Sequence, residues 1–436
     1  MVRFSSDGLT GSNHHVKGVT SSPFSVTNCV LQDYVRRYNA PVRGATRTLQ
    51  FSTAAGTGTE PLLVLRYVRK TKDNRTILGM ETFPQSISKL PVTYNSELHD
   101  EATVKRMPYR PLGNTGLDVS ILSYGASSLG SVFRQTDDSE SIQVVHEAVK
   151  NGINYIDTAP WYGHGKSETV LGKALQGIPR SSYYLATKVG RYLPDPAQMF
   201  DFSAERTLRS VDESLARLGL DYVDIIQIHD MEFADNLDII ISETLPALQK
   251  VKDAGKARFI GITGYPLENF RTVLERTTVK VDTILTYCHA SMNDNSLADY
   301  LPYFKSKGIG VVNASPISMG LLSDRGPPAW HPAHRDIKDA CAAAAKFCQS
   351  RGVDISRLAM EFTLSQADIP TTLVSTASLK NLNKNIESVY KPLTAEEKAV
   401  QQEVMDRFMK PLNNKNWEGV EVGEHRKQLQ ASAATS

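Results

Sequence analysis

The feature that most constrains the fold of this chain is a regular alternation of strand-like and helix-like segments that begins near Ile121. Short runs rich in β-branched and apolar residues are separated by longer segments of helical periodicity, many of which end at a glycine. The strand-like runs are residues 121–126, 155–158, 183–188, 222–229, 258–263, 283–287, 310–315 and 371–375. Such strand–helix pairs predict a (β/α)8 TIM barrel, which typically takes roughly 250 residues and more with insertions.

A doubly wound parallel sheet shows the same alternation and is the competing fold. Its usual mark is the motif Gly-x-Gly-x-x-Gly directly after the first strand. The first strand of this chain instead ends in Gly125-Ala126-Ser127-Ser128-Leu129-Gly130, which does not match that motif. The barrel is therefore the preferred prediction.

The barrel is expected to occupy residues 107–412, and segments of different character flank it. The turn sequence Gly113-Asn114-Thr115-Gly116 predicts a β-hairpin cap before the first barrel strand. Residues 1–106 are rich in Ser, Thr and Gly and carry 14 Lys and Arg against 8 Asp and Glu, whereas the remainder has a net charge of −4. We predict that this basic N-terminal extension is largely disordered and that residues 413–436 form a frayed polar tail.

The composition argues against several functional classes. The longest apolar runs are far shorter than the roughly 20 residues that span a bilayer, so no membrane segment is predicted. The slightly acidic barrel region argues against nucleic-acid binding. The 4 cysteines are scattered, with no pair spaced as in a zinc or disulfide framework, so a reducing, cytoplasmic setting is expected.

One stretch of the N-terminal extension favours a different compartment. Residues 34–59 are basic and then rich in Ser, Thr, Gly and Ala, a composition typical of mitochondrial transit peptides. A disordered tail, or a translated leader upstream of a start at Met80 or Met107, has the same composition. Mitochondrial targeting is therefore the alternative to a cytoplasmic location.

Ionisable side chains stand at the carboxyl ends of three consecutive predicted strands. The second strand ends at Asp157 and leads into a short turn that carries Tyr162, and the next two strands end at Lys188 and His229. In (β/α)8 barrels, the carboxyl ends of the strands carry the active site. A lone strand-end Asp more often caps a helix, and a lone Tyr, Lys or His is more often structural. The prediction of a site therefore depends on the coincidence of all four residues.

These four side chains predict acid–base chemistry at a carbonyl oxygen. A free tyrosine has a pKa of about 10, and moving it to about 7–8 takes about 3–4 kcal/mol. One ammonium about 4 Å away supplies about that much at an effective dielectric of about 20. We therefore expect Tyr162 to be a proton donor tuned by Lys188. Asp157 would keep that lysine charged, and His229 would bind the substrate oxygen. The set has no evident nucleophile and no metal cluster, so no metal site is predicted.

The series Asp157-Thr158-Ala159, Tyr162-Gly163, Ser167-Glu168, Leu171-Gly172, Thr187-Lys188 and His229 resembles the aldo-keto reductase superfamily. The resemblance covers residues 109–390 and implies a (β/α)8 barrel that uses NAD(P)(H) without a metal. It also implies that Asp157, Tyr162, Lys188 and His229 are the catalytic tetrad. Residues 158–163, 285–289 and 318–322 are similar to the branch of the family that oxidises aldoses such as L-galactose at C1 to lactones.

The resemblance further implies a set of cofactor-binding residues. They are Gly125, Ser127, Asp157, Thr263, Ser315, Pro316, Ile317, Ser318, Met319, Gly320, Ser375, Ala377, Asn381, Lys384 and Asn385. Members that prefer NADP often carry Lys and Arg at the positions of Ser375 and Asn381, because a 2′-phosphate requires cations. NAD is therefore the expected cofactor, with NADP as the alternative because Lys380 and Lys384 could replace those cations. Gly264 stands where an Asn is common in the family.

Substrate contacts are expected from Trp161 and Trp330, whose rings could stack on a pyranose, and from His289, which could contact sugar hydroxyls. The long connection at residues 317–335 carries Trp330 and is expected to be functional. The partner is then a small sugar or carbonyl compound, and the protein is expected to be a monomer or weak oligomer.

Three other functions remain open on the sequence. One is a general aldehyde, ketone or pyridoxal reductase, and another is a non-catalytic binding module like the channel-associated subunits of this superfamily. The third is a metal-dependent hydrolase that uses Asp157, His229 and His289, which the lack of clustered ligands disfavours.

Overall fold

The structure is a computed structural model that describes the backbone of residues 47–55, 61–70 and 76–84 and the chain from Leu90 to Thr435. The chain divides into two units, Met1–Lys89 and Leu90–Ser436. Residues 1–46 lie outside the described residues. Much of the segment predicted to be disordered, and the first part of the candidate targeting segment 34–59, therefore fall outside the described part of the chain.

The first unit contains an antiparallel three-stranded sheet. Its strands are β1 Arg47–Ala55, β2 Pro61–Lys70 and β3 Thr76–Pro84, paired in chain order. Arg47 lies opposite Arg69, and Leu62 lies opposite Pro84. The predicted disordered extension therefore contains paired strands that the sequence reading missed. The apolar run Leu62-Leu63-Val64-Leu65 in β2 is short, but its residues favour or tolerate strands.

The second unit contains a closed barrel of parallel strands, which confirms the predicted fold class. Each strand pairs with the next one along the chain, and the last pairs with the first, as shown by the opposed residues Ser375 and Gly125. The barrel strands are β6 Leu122–Gly125, β7 Tyr155–Asp157, β8 Tyr184–Val189, β9 Val223–Ile228, β10 Ala257–Thr263, β11 Thr283–Tyr287, β12 Gly310–Ala314 and β13 Thr371–Ser375. The predicted hairpin is also present before them, as β4 Tyr109–Pro111 and β5 Asp118–Ser120.

Helices follow the barrel strands and cover its outside. The helices are α1 Glu101–Val104, α2 Asp138–Lys150, α3 Lys166–Leu175, α4 Pro196–Met199, α5 Ala204–Leu218, α6 Leu237–Ile239, α7 Leu245–Asp253, α8 Leu267–Arg276, α9 Leu297–Ser306, α10 Arg335–Ser350, α11 Ile355–Leu364, α12 Leu379–Tyr390, α13 Ala395–Val404 and α14 Val420–Thr435. π-Helical segments lie between α6 and α7, at Ile240–Thr244, and after α13, at Met405–Met409. In the described part of the chain, no helix has the length and apolar character needed to cross a membrane.

Apolar side chains fill the amino-terminal end of the barrel. The hairpin contributes Leu112, Leu117 and Val119, which pack in one cluster with the barrel residues Tyr155 and Ile225. The hairpin therefore closes this end of the barrel, as a cap. Polar functional side chains are therefore expected at the opposite end of the barrel, at the carboxyl ends of the strands.

The folded body begins earlier in the chain than predicted, at Leu90 rather than residue 107. The Asn154 side-chain amide donates a hydrogen bond of 3.1 Å to the Thr93 hydroxyl. The backbone N–H of Asp100 donates to the carbonyl of Lys150 at 2.9 Å, and Val104 is buried. Tertiary contacts thus order this segment, although it has no strong periodicity of its own.

The expectation of a frayed tail after residue 413 is wrong. Trp417 is 1% exposed, and its ring stacks on Tyr265 with the centroids 5.1 Å apart. The ring of His331 contacts the same indole edge-on at 5.0 Å. The polar composition of the tail conceals one large apolar anchor, which holds the start of α14 against the body.

Candidate active site

The inward-facing rows of three neighbouring strands change from apolar to polar along their length. Side chains alternate between the two faces of a strand, so residues two apart point the same way. On β8, Tyr184 and Ala186 belong to the interior apolar cluster, and Lys188 follows them in the same row. On β9, the inward residue Ile225 is followed by Gln227 and then by His229 just past the strand.

The register of the parallel strands brings these row ends together. Asp157 lies opposite Ala186 in the β7–β8 ladder, and Lys188 lies opposite Gln227 in the β8–β9 ladder. Tyr162 follows β7 in the turn that leads to α3. The structure therefore gathers all four side chains that the sequence predicted as a site.

Lys188 is the centre of the cluster. Its ammonium donates to Asp157 Oδ1, to the Thr158 carbonyl at 2.9 Å and to Tyr162 Oη at 3.3 Å. Lys188 is 1% exposed and Asp157 2%. A buried ion pair is tolerated when neighbouring groups satisfy its remaining donors and acceptors, and these three acceptors do so for the ammonium.

Gln227 binds the second carboxylate oxygen of Asp157, a role that was not predicted from the sequence. Its side-chain amide donates to Asp157 Oδ2 at 2.7 Å, and the residue is fully buried. A signal for it exists, because Gln227 is the inward position between Ile225 and His229 on a strand of otherwise apolar residues. A buried amide at such a position is expected to have a specific polar partner.

Opposing effects set the pKa values of the ion pair. Burial lowers the pKa of Lys188, but the charge of Asp157 and the hydrogen bonds to it outweigh burial, so the pKa is raised and the ammonium persists. Burial also raises the pKa of Asp157, and the ammonium of Lys188 and the amide of Gln227 counter only part of that effect. Lys188 therefore stays positively charged, whereas Asp157 is protonated more readily than an exposed aspartate.

The expected lowering of the tyrosine pKa is not what the structure gives. Burial raises the pKa of Tyr162, the ammonium of Lys188 lowers it, and the carboxylates of Asp157 and Asp230 raise it again. The net pKa lies above its ordinary value, because one ammonium does not outweigh desolvation together with two negative charges. Tyr162 is therefore protonated at neutral pH, which is the form that can donate a proton, although the raised pKa makes it a weaker acid than a free tyrosine.

His229 faces Tyr162 as a neutral imidazole. The two rings meet edge-on with centroids 5.7 Å apart, and His229 is buried. Burial, aided by the charges of Lys188 and Arg191, lowers the pKa of His229 to about 3, although Asp230 opposes this. Among the described residues, Nδ1 of His229 has no hydrogen-bond partner.

Asp230 and Arg191 lie next to the imidazole of His229, and neither was predicted from the sequence as part of the site. Asp230 Oδ2 lies 3.5 Å from His229 Nε2 and accepts a hydrogen bond of 2.7 Å from Arg191. The guanidinium of Arg191 lies 4.1 Å from the centre of the Trp161 ring. One face of Trp161 is thus covered by Arg191, which limits its predicted use as a sugar platform. Asp230 directly follows His229 in sequence, and that adjacency was the signal available for it.

Both ring nitrogens of His289 have hydrogen-bond partners within the protein, and its contact with substrate remains a prediction. It is fully buried, and its Nδ1 lies 2.7 Å from Asp294 while its Nε2 lies 2.8 Å from the Tyr265 carbonyl. The left-handed backbone at Cys288, with φ of 64°, turns the chain just before it. The imidazole therefore cross-links two loops, and it does not join Asp157 and His229 as a metal ligand.

Trp330 lies on the exposed part of the long connection between β12 and α10. It is 54% exposed, and its ring stacks on Phe133 with the centroids 6.1 Å apart. Its contact with substrate remains a prediction.

Several predicted cofactor residues share one edge of the barrel. Ser127 donates to the Ser375 hydroxyl at 2.9 Å, and that hydroxyl also accepts from the backbone of Ser128 at 2.9 Å. Gly125 ends β6 directly beside Ser375. Ala377 is buried just beyond this edge, and Asn381, Lys384 and Asn385 lie on α12. The first and last strands thus present a row of small and hydroxyl-bearing residues.

The loop after β12 has an unusual backbone. Ser315, Ser318 and Met319 have φ values of 59°, 47° and 51°, in the left-handed region that non-glycine residues rarely adopt. Gly320 follows at 101°, where glycine has no such penalty. Strained backbone of this kind is concentrated at ligand-binding loops, so the segment Ser315–Gly320 fits the predicted contact with a cofactor.

The side chains of two predicted cofactor residues, Ser318 and Thr263, form hydrogen bonds within the protein. The Ser318 hydroxyl is buried and donates to Asn293 at 2.6 Å, so this side chain holds the loop rather than facing a ligand. The Thr263 hydroxyl accepts from the backbone of Asp230 at 3.1 Å. A Cβ at Gly264, where an Asn is common in the family, would lie 2.7 Å from Oε2 of Glu232, so an Asn there would require that carboxylate to move.

The (β/α)8 barrel thus carries hydrogen-bonded Asp, Tyr and Lys side chains at the carboxyl ends of its strands, with a neutral His against the tyrosine ring. This arrangement suits proton transfer at a carbonyl or hydroxyl oxygen. The chain matches the Aldo/keto reductase family over residues 121–405 and therefore belongs to this family of NAD(P)-dependent oxidoreductases. The predicted resemblance is confirmed.

Individual proteins similar to this chain are also oxidoreductases by name. The chain is 48% identical over 318 residues to L-galactose dehydrogenase of Arabidopsis thaliana, a match that covers 72% of this chain and 97% of that protein. It is 33% identical over 263 residues to D-arabinose 1-dehydrogenase of Saccharomyces cerevisiae, covering 57% of this chain and 76% of that protein. A solved structure, aldo-keto reductase AKR11C1 from Bacillus halodurans in its holo form, matches with a TM-score of 0.57 at 30% identity. This match covers 68% of this chain and 96% of that one.

Proposed function

We propose that the protein oxidises an aldose resembling L-galactose at C1 to the lactone, with NAD as the hydride acceptor. The observation that carries the proposal is the buried Lys188 ammonium, which links Asp157 to Tyr162 beside a neutral His229. Two of the similar proteins are named for the dehydrogenation of aldoses, which supports the choice of substrate class.

In this reaction the residues of the chain handle the proton. When an aldose is oxidised, the O1–H bond breaks and its proton passes to the oxygen of Tyr162, while C1 loses a hydride and forms the C=O bond of the lactone. A bound nicotinamide cofactor supplies the hydride acceptor. Lys188 stabilises the phenolate that must receive the proton, and a ring nitrogen of neutral His229 donates a hydrogen bond to O1.

The cofactor would lie along residues that already share one barrel edge. Ser127 and Ser375 offer hydroxyls, and the segment Ser315–Gly320 offers strained backbone at the neighbouring strand end. NAD is favoured because Ser375 and Asn381 stand where members that prefer NADP often carry cations. Lys384, which could replace such a cation, lies 3.8 Å from the carboxylate of Asp354. Fluorescence titration with NADH and NADPH tests the choice, and clearly tighter binding of NADPH would overturn it.

The raised pKa of Tyr162 favours a second candidate function, the reduction of a carbonyl at neutral pH. A protonated phenol can give its proton to an aldehyde, ketone or pyridoxal oxygen while hydride arrives from the cofactor. Both directions should be assayed at pH 7 with an aldose panel and a panel of simple carbonyls. Higher kcat/KM for simple aldehydes than for every aldose would favour the reductase.

The variant Tyr162→Phe tests the proposed chemistry. It removes the hydroxyl that moves the proton and leaves the ring in place, so turnover should fall by at least about 10³-fold. Binding of NADH, followed by fluorescence, should stay within about twofold of the unaltered protein. Full activity in this variant would refute the proposal.

The setting of the enzyme is also a proposal. Cys288, Cys341 and Cys348 are buried free thiols, which supports a reducing compartment such as the cytoplasm, with mitochondrial import as the alternative. A monomer or weak oligomer is expected, and light scattering of the purified protein measures it. Fusing residues 1–106 to a fluorescent reporter tests import.

A further inference from the structure

We infer that Asp230 is a specificity-determining residue that accepts a hydrogen bond from the substrate hydroxyl on the carbon next to the reacting carbon. With Arg191, it would form a polar subsite for neutral polyhydroxy substrates. The inference rests on the proposed oxidation of aldoses and names the group that recognises them.

The backbone places Asp230 beside the imidazole by constraint. Its φ of 48° lies in the left-handed region, which residues other than glycine adopt rarely. The strained residue is held by a hydrogen bond from its N–H to the Thr263 hydroxyl at 3.1 Å. Strain that the surroundings maintain is concentrated at functional positions.

The two charged groups retain unused hydrogen-bonding capacity. An ionised carboxylate offers about four acceptor positions. Within residues 90–435, the hydrogen bond that Asp230's side chain receives comes from Arg191, and it engages Oδ2 and leaves Oδ1 without one. In the same part of the chain, the buried Nε of Arg191 has no hydrogen-bond partner. An unoccupied carboxylate oxygen and an unpaired guanidinium nitrogen side by side suit a ligand that can donate and accept, as a diol does.

The geometry selects which hydroxyl would bind. Asp230 Oδ2 is 3.5 Å from His229 Nε2, so the carboxylate lies directly beside the imidazole that would bind the reacting oxygen. In a cyclic aldose, C1 is bonded to the ring oxygen on one side and to C2 on the other. The ring oxygen has no proton to donate to a carboxylate, whereas the C2 hydroxyl has one. Asp230 therefore recognises that hydroxyl.

The surrounding charges explain why the ligand would be neutral. Burial raises the pKa of Glu232, and so does the carboxylate of Asp230 beside it. Burial likewise raises the pKa of Glu421, at the start of α14, with Asp230 adding to the effect. Raised pKa values favour the uncharged forms of Glu232 and Glu421, which leaves Asp230 and Arg191 as a pair of opposite charges. A neutral substrate keeps that balance, whereas the carboxylate of a uronic acid would add a second negative charge beside Asp230.

The test compares an aldose with its 2-deoxy analogue in the unaltered protein and in Asp230→Asn. The unaltered protein should prefer the aldose by about 10- to 100-fold in kcat/KM. That ratio corresponds to roughly 1.4–2.8 kcal/mol at about 1.4 kcal/mol per factor of ten. Asp230→Asn should lose most of this preference through a higher KM for the aldose. Any effect of the lost charge on Tyr162 or His229 is common to both sugars and leaves their ratio unchanged.

Asp224→Asn is the matched control. Asp224 is a buried carboxylate on β9 that two arginines bind at the opposite end of the barrel. Its replacement is expected to lower stability and to leave the aldose to 2-deoxy ratio unchanged.

Two results would overturn the inference. One is an equal loss for both sugars in Asp230→Asn, which would mean that the residue acts through His229 alone. The other is an unaltered protein that oxidises the 2-deoxy sugar as well as the parent, a measurement that needs no folded variant. Either result would leave the proposed aldose oxidation standing, because that depends on the separate outcome for Tyr162→Phe.

Discussion

Two buried carboxylates at opposite ends of the barrel strands are paired in different ways. At the strand starts, Asp224 binds Arg180 and Arg258, whose side chains are 21% and 46% exposed. At the strand ends, Asp157 binds Lys188, whose side chain is 2% exposed. In the first group the cations stay in contact with water, and in the second both charges are removed from it.

The difference separates a pair that supports the fold from a pair that supports chemistry. Taking an ion out of water costs several kcal/mol, so two buried charges persist only where neighbours complete their hydrogen bonds. For Lys188, one of those neighbours is the hydroxyl of Tyr162. One of the hydrogen bonds that offset the burial of Lys188 is therefore made to a hydroxyl that can exchange a proton.

The largest effect is expected when the buried cation is removed. Lys188→Met leaves Asp157 without its charge partner and Tyr162 without the ammonium, so stability should fall by about 3–5 kcal/mol. Oxidation should slow by roughly 10²–10⁴-fold. Urea unfolding and initial rates measure the two effects.

Lys252→Met is the matched control at the strand starts. Lys252 is 27% exposed and lies 3.1 Å from the buried Asp282, which also binds Lys280. Because Asp282 keeps a cation, the loss of stability should be below about 1 kcal/mol and kcat should not change. Equal losses in the two lysine variants would remove the distinction between the two ends.

The cap at the apolar end should affect stability alone. Leu112→Ala removes a fully buried side chain of the hairpin and should cost about 2–5 kcal/mol in the free energy of unfolding. At temperatures where the variant is folded, kcat/KM should equal that of the unaltered protein. A fall in kcat/KM without unfolding would show that the two ends are coupled.

The smallest of these effects concerns the amide beside Asp157. Gln227→Met keeps the volume but removes a hydrogen bond to a charged group, so stability should fall by about 1.5–3 kcal/mol and kcat/KM by roughly 10-fold. Gln249→Met is the control, because its amide donates to Asp253 at the exposed surface and should contribute almost nothing. If both variants behave alike, Gln227 does not support the site.

The sequence was sufficient for the barrel and for the four clustered residues, for a physical reason. Strand–helix alternation is a local pattern, and parallel strands end at one edge, so strand-end residues meet without any knowledge of packing. The family motif then gave the same four residues. Their proximity in the structure follows from the ladder register of β7, β8 and β9.

The missed features depend on proximity in space. Arg191 and Asp230 come from different loops, and their pairing follows from how those loops fold back. Trp417 has no periodic neighbours to mark it, and its burial comes from Tyr265 and His331. The hydrogen bonds of His289 to Asp294 and to the Tyr265 carbonyl were also missed, because a strand-end position does not fix the direction of a side chain after a left-handed residue such as Cys288.

The pH dependence of kcat/KM for aldose oxidation between about pH 5 and 10 tests the central claim, that Tyr162 moves the proton while His229 stays neutral. Oxidation requires the phenolate, and the pKa of Tyr162 is raised by burial, so kcat/KM should climb as the pH rises through this range. His229, with a pKa of about 3, should add no inflection near 6.5. A profile that instead levels off near pH 6.5, and loses that inflection in His229→Asn, would contradict the account.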